Sequence, residues 1–140
     1  MKNKQPITVQ TIVNTSLEKV WDTWVTPSHI EQWNTASNEW HTPKAINNLK
    51  VGGRFVSRME AKDGSMGFDF SGVYTKVKPR KHLAYTLDDN RKVIVNFEKN
   101  NQGVLITETF EPEQQNSIDK QRDGWQAILN NFKKYIETEQ

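Results

Sequence analysis

Residues 116–140 constrain the fold more than any other part of the chain. Their apolar members are Ile118, Trp125, Ile128, Leu129, Phe132, Tyr135 and Ile136. These positions fall on one stripe at helical spacing. Asn116 is placed to cap the start, with Asp119 three residues on in capping-box style. About twenty helical residues span roughly 30 Å, the width of a small domain. A helix of that length with one apolar face must lie on another surface. The strand-rich middle of the chain is the only candidate.

The chain before that helix reads as strands interrupted once by helices. Ile7–Val13 is rich in β-branched residues and predicts a strand. Thr15 with Glu18 then offers a capping box, and Leu17, Val20, Trp21, Trp24 and Val25 form a short amphipathic face. Pro27 breaks that helix and starts a second, capped by Thr26 and facing inward through Ile30 and Trp33. Residues 34–39 are polar, lie between two tryptophans, and predict a surface loop suited to act as a lid. Residues 40–49 are ambiguous, with part of them a short strand, and Gly52-Gly53 marks a tight turn.

From Arg54 the apolar period becomes two. Arg54–Ala61 and residues 66–77 predict a hairpin through Asp63-Gly64, with Gly72 suggesting a bulge. Further strands are expected at His82–Leu87, 91–98 and 104–111, with short turns between them and Pro112 ending the last. Short connections imply an antiparallel meander. The expected fold class is α+β: a curved antiparallel sheet of six or seven strands wrapped around the long C-terminal helix. Two short helices follow strand 1, and the whole is one domain over residues 7–138.

That order resembles the helix-grip fold of the SRPBCC superfamily, which includes START domains. Within it, the chain is similar to homologues of the heat-shock-protein-90 ATPase activator. The residues that carry the likeness are Val20, Trp21, Trp24, Pro27 and Trp33, then Gly52-Gly53-Arg54-Phe55. Phe70, Gly72, Tyr74 and Pro79 follow, and then Thr107, Thr109, Phe110, Gly124-Trp125 and Leu129. The resemblance implies a domain that binds small apolar ligands. It also raises two alternatives: a cyclase- or hydrolase-like enzyme, and a chaperone-accessory interaction module.

Composition removes several other classes. The net charge is +2 and the basic residues are scattered, whereas nucleic-acid binding needs a clustered basic face. Cysteine is absent, which excludes disulfides, thiol catalysis and thiolate metal sites. His29, His41 and His82 are too far apart for a His-x-x-x-His pair, and no metal or other cofactor is expected. There is no phosphate loop and no Gly-x-Ser-x-Gly elbow, so no catalytic residue is assigned. Residues 1–6 are polar with no apolar core of a secretion signal, no window is long enough to cross a membrane, and a cytoplasmic location is expected.

The expected partner is therefore a small apolar or aromatic molecule held between the sheet and the long helix. Trp33, Trp40, His41, Phe55, Phe68, Phe70, Tyr85, Glu108 and Trp125 are the residues expected to contact or border it. Gly124 interrupts the helix beside Trp125. Either the helix leaves its packed core there and borders a cavity, or the glycine permits close packing on the sheet. Trp33, Trp40 and His41 flank the polar loop and can stack on a planar ligand, or can simply fasten the loop. Met59 and Tyr74 share the strand faces of Phe55 and Phe70 and read as core or as lining. Glu108 shares a face with Ile106 and Phe110, and Arg58 and Glu60 share one with Val56. If both faces point inward, an Arg58–Glu108 pair can fix a ligand's polar end or act in acid–base chemistry. Otherwise these charges are solvated or structural.

Overall fold

The computed structural model describes residues 5–138, so most of residues 1–6 and the end of the stretch reaching Gln140 lie outside the described residues. The order of elements is β1 (Ile7–Val13), α1 (Leu17–Val25), α2 (Pro27–Trp33), β2 (Trp40–Asn47), β3 (Arg54–Ala61), β4 (Gly67–Lys78), β5 (His82–Leu87), β6 (Lys92–Asn100), β7 (Gly103–Phe110) and α3 (Ile118–Thr138). The seven strands make one antiparallel sheet in the order β1-β7-β6-β5-β4-β3-β2. Strands β2 to β7 form the meander that the short turns predict. β1 adds to the far side of β7, with Val9 opposite Glu108. The first and second strands are thus opposite edges of the sheet, and α1 and α2 carry the chain between them. This is the α+β helix-grip fold expected from the order of elements. Among the described residues, no helix is long and apolar enough to cross a membrane.

Period-two burial fixes the concave face. Along β7, Val104, Ile106, Glu108 and Phe110 are buried, and along β6, Val93, Val95 and Phe97 are. The C-terminal half of α3 drops Leu129, Phe132 and Ile136 onto this surface, each no more than 2% exposed. Each such side chain contributes about 2–3 kcal/mol through burial. Trp24 and Trp33 close the core against Phe132, with ring centroids 5.0 Å away in each case. The Trp33 indole N–H donates to the Thr23 carbonyl at 2.9 Å, which makes its burial tolerable.

Local details differ from the sequence expectations where neighbouring residues compete for one role. Ser16, not Thr15, caps α1, its hydroxyl accepting from the Lys19 N–H at 3.2 Å. Ser117, not Asn116, does so for α3, accepting from the Lys120 N–H at 3.1 Å. Asn116 is drawn instead to Glu113, whose carboxylate accepts from its backbone and side-chain amides. Residues 40–49, ambiguous in sequence, supply the eight-residue edge strand β2, with a register shift between His41 and Lys44. The bulge of β4 lies between Tyr74 and Lys76 rather than at Gly72. Gly72 serves close approach: a Cβ there would sit 2.5 Å from the Thr86 carbonyl oxygen and 3.1 Å from the Phe55 ring.

The free edge of β1 is covered by side chains of α3. Gln126 donates to the Gln10 carbonyl at 3.1 Å, and Lys133 donates to the Ile12 carbonyl. Glu137 accepts from the Asn14 N–H at 2.9 Å. At the opposite edge, β2 carries Pro43 inside its register shift.

Candidate functional site

Helix α3 does not lie evenly on the sheet. Toward its start, a Cβ added to Gly124 would meet nothing within 4 Å, so close packing is not the reason for the glycine. The space it faces is a recess of about 430 Å³ between α3, the α1–α2 pair and strands β3 to β5. That volume lies in the range of small-molecule sites. Its walls are mainly apolar, with aromatic faces from Trp24, Trp33, Phe55, Phe70, Tyr74, Tyr85 and Trp125. Trp125 stacks on Phe110 with centroids 3.9 Å apart and planes at 10°, and its other neighbour is the edge of Phe70 at 6.0 Å. It is both wall and packing partner.

Strand alternation decides who faces this space. On β3, Phe55, Ser57 and Met59 point in, each less than a tenth exposed. Arg58 and Glu60 fall on the outer face. There the Arg58 guanidinium lies 2.9 Å from Glu60 and 3.5 Å from Asp69. An Arg58–Glu108 pair therefore does not form: the two side chains are on opposite faces of the sheet. Of the nine residues expected at the site, Trp33, Phe55, Phe68, Phe70, Tyr85, Glu108 and Trp125 border the recess, with Phe68 half exposed at its rim. Trp40 and His41 do not. They line a separate polar groove with Glu31, Lys62 and Lys134. His41 is paired in register with Glu60, an outward residue, and lies 3.8 Å from its carboxylate. Trp40 meets the outer side of Phe68 at 5.9 Å.

The loop 34–39, expected as a lid, is fastened at its first half. Asn131 donates to the Trp33 carbonyl at 2.7 Å, and Thr42 donates to the Asn34 carbonyl at 2.8 Å. Asn34 and Ala36 contribute to the recess wall. Several contributors were not in the expected set. Ser57 and Asn47 bring polar atoms, and Gln121 and Ile128 come from α3. Ser57 is legible once Phe55 is known to face inward, because it lies two residues on. Gln121 is 7% exposed because its amide clasps the turn into the helix, accepting from the Glu113 N–H and donating to the Glu113 and Asn116 carbonyls.

One buried ionisable group stands apart from the others around the recess. Glu108 is 6% exposed, and among the described residues no hydrogen bond or ion pair reaches its carboxyl. Burial alone pushes its pKa up to about 8, so it holds its proton at neutral pH. Tyr85 is raised well above the usual phenol value by burial first and then by the nearby Glu108 charge. Tyr74 is also raised by burial, partly offset by its hydroxyl donating to Asn47 at 2.7 Å. Asn47 in turn donates to the Val25 carbonyl at 2.7 Å, tying the wall to α1. Among the described residues no cluster of His, Asp or Glu is able to hold a metal ion. The arrangement can enclose an apolar body and present one carboxyl to it.

The family model for Activator of Hsp90 ATPase homolog 1-like protein matches residues 14–137. No curated protein matches the chain in sequence. Among solved structures, the AHSA1-like protein from Aeromonas hydrophila is 42% identical with a TM-score of 0.91, covering 96% of this chain and 93% of that one. A protein from Cytophaga hutchinsonii is 48% identical with a TM-score of 0.80, covering 99% and 94%. A protein from Nitrosomonas europaea is 15% identical with a TM-score of 0.83, covering 99% and 98%, and shares the fold alone.

Proposed function

The chain belongs to the Activator of Hsp90 ATPase homolog 1-like family, and from that premise we propose that it is a binding domain for a small apolar or aromatic molecule. The observation that carries the reading is the recess beside Gly124, walled by aromatic side chains and holding a single carboxyl without a partner. A binding domain is favoured over a packed core because the residues that would close the space are present and do not fill it. Its aromatic walls suit flat molecules, and Met59 adds an adaptable floor.

Two-dimensional NMR with a panel of flavonoids, fatty acids and polycyclic aromatics tests the reading. Shifts should concentrate on Phe55, Phe70, Tyr85, Gly124 and Trp125, and Trp40 and His41 should stay unmoved. Binding weaker than about 1 mM for every class would overturn it.

A second reading, an acid–base enzyme, is favoured by Glu108 alone. A carboxyl that keeps its proton to about pH 8 inside a recess is suited to general-acid work. Turnover of any bound molecule that survives Glu108→Gln unchanged would remove this alternative.

A further inference from the structure

The proposed binding site, if accepted, also carries information about the charge of its ligand. Glu108 projects from the concave face of β7 between Ile106 and Phe110. Its cross-strand neighbours are Val9 on β1 and Val95 on β6, both buried and apolar. An isolated carboxyl in such surroundings costs stability unless something supplies the missing partner.

Among the described residues no group does so. The cations that line the recess are Arg91 and Lys120. Arg91 is engaged at the rim, 2.8 Å from Asp89 and donating to the Glu111 carbonyl at 3.4 Å. Lys120 is exposed on the first turn of α3. Neither contributes to the state of Glu108, which burial alone determines. The other titratable groups around the recess are Tyr74, Tyr85 and Glu113. Tyr74 is committed to Asn47, and Glu113 to the N–H groups of Gln115 and Asn116. The recess thus combines a lone buried carboxyl with several aromatic faces, and of its two lining cations Arg91 is held by Asp89 and Lys120 is exposed. Aromatic faces attract cations through their quadrupoles, and more strongly where water is excluded.

We propose that the recess binds an organic cation, a substituted ammonium on an apolar or aromatic body, with its charge against Glu108 and its body among Trp33, Phe55, Phe70 and Trp125. This rests on the binding-domain reading above. A neutral carbonyl compound would need only a hydroxyl donor, which Ser57 and Tyr85 also carry, and would leave the carboxylate form of Glu108 without a partner. An anion would meet like charge as soon as Glu108 ionises. Binding of the cation expels the proton from Glu108 to solvent, so that ligand charge and carboxylate charge enter the pair together.

Three benzyl compounds test the proposal: benzyltrimethylammonium, its neutral carbon isostere neopentylbenzene, and the smaller anion phenylacetate. Affinities are measured by NMR titration on the whole protein between about pH 6 and pH 9. The cation should bind at least about tenfold more tightly than the isostere near pH 9. Its affinity should fall by up to about tenfold per pH unit below the Glu108 pKa, while that of the isostere stays flat. Glu108→Gln, with an amide spectrum matching the parent, should lose both the preference and the slope. If that variant misfolds, the slope in the unaltered protein decides alone.

Equal or tighter binding of the isostere or the anion, or a cation affinity without pH dependence, overturns the inference and leaves the binding-domain reading standing. So does silence of the three probes beside a neutral hit in the broader panel. Silence of the probes and the panel together overturns both.

Discussion

The two halves of α3 cross the same sheet, yet they meet it differently. From Leu129 onward the helix buries Leu129, Phe132 and Ile136 almost completely, in one cluster with side chains of β1, β6 and β7. Before it, Gly124 faces open space, and Gln121 turns its amide back to the preceding turn rather than to the sheet. One half holds the protein together and the other leaves room. The difference teaches that this fold divides packing from accommodation along a single helix, with Trp24 and Trp33 shared between the two: both line the recess and both close on Phe132.

The separation is broken most directly by truncation. Phe132→Ala should cost about 3–5 kcal/mol in denaturant unfolding, because a fully buried aromatic leaves a cavity among close-packed neighbours. Trp125→Ala should cost less than half as much, since its outer side already borders empty space. Equal losses would mean that the two halves are energetically one.

The next effect runs in the opposite direction. Burial pushes the Glu108 pKa up to about 8 from an ordinary 4.5, so the folded state binds a proton that the unfolded chain has released. Stability is therefore fullest below the unfolded value, declines as pH rises between the two, and levels off above the folded one. Glu108→Gln removes that decline and should stabilise the protein by roughly 3 kcal/mol at pH 7, with little change near pH 4. Unfolding curves at the two pH values check it. A flat difference would mean that the carboxyl is solvated after all.

Gly124→Ala should add about 1 kcal/mol of stability, the difference in helix propensity, because nothing stands where the methyl group would go. A loss in thermal unfolding would show that the helix presses on its neighbours there. The smallest effect belongs to the convex face. Asp88 is held down to about 2 by hydrogen bonds from Arg54 and Ser71, so its contribution is present above the ordinary carboxylate range and lost as pH falls toward 2. Asp88→Asn should leave the recess unchanged and only slightly reduce resistance to acid, as followed by circular dichroism. The pair is exposed and solvent-screened.

The elements were legible in the sequence because they rest on local periodicity: 3.6 for α3 and two for β3 to β7. Faces were legible only in part. Alternation along β7 groups Glu108 with Ile106 and Phe110, but a strand cannot by itself reveal which of its faces meets a helix. That is settled by long-range pairing with β1, where Val9 stands opposite Glu108. The same limit explains Arg58, whose alternation with Met59 is visible while its direction is not. Trp40 and His41 were drawn in by their position beside a loop. Their exclusion follows from where β2 sits at the sheet edge, a fact of topology. The caps at Ser16 and Ser117 were missed by one residue because adjacent polar side chains offer the same hydrogen bond.

The two margins of the sheet bear on how the protein behaves in a crowded solution. An unclosed array of strands ordinarily invites a neighbouring chain to continue it. Here Gln126 and Lys133 occupy carbonyls on one border, and Pro43 within an offset interrupts the other. With both borders blunted against self-templating, the sheet has no need to curl shut into a barrel, and the mouth beside Gly124 can remain open without the molecule polymerising through its rims.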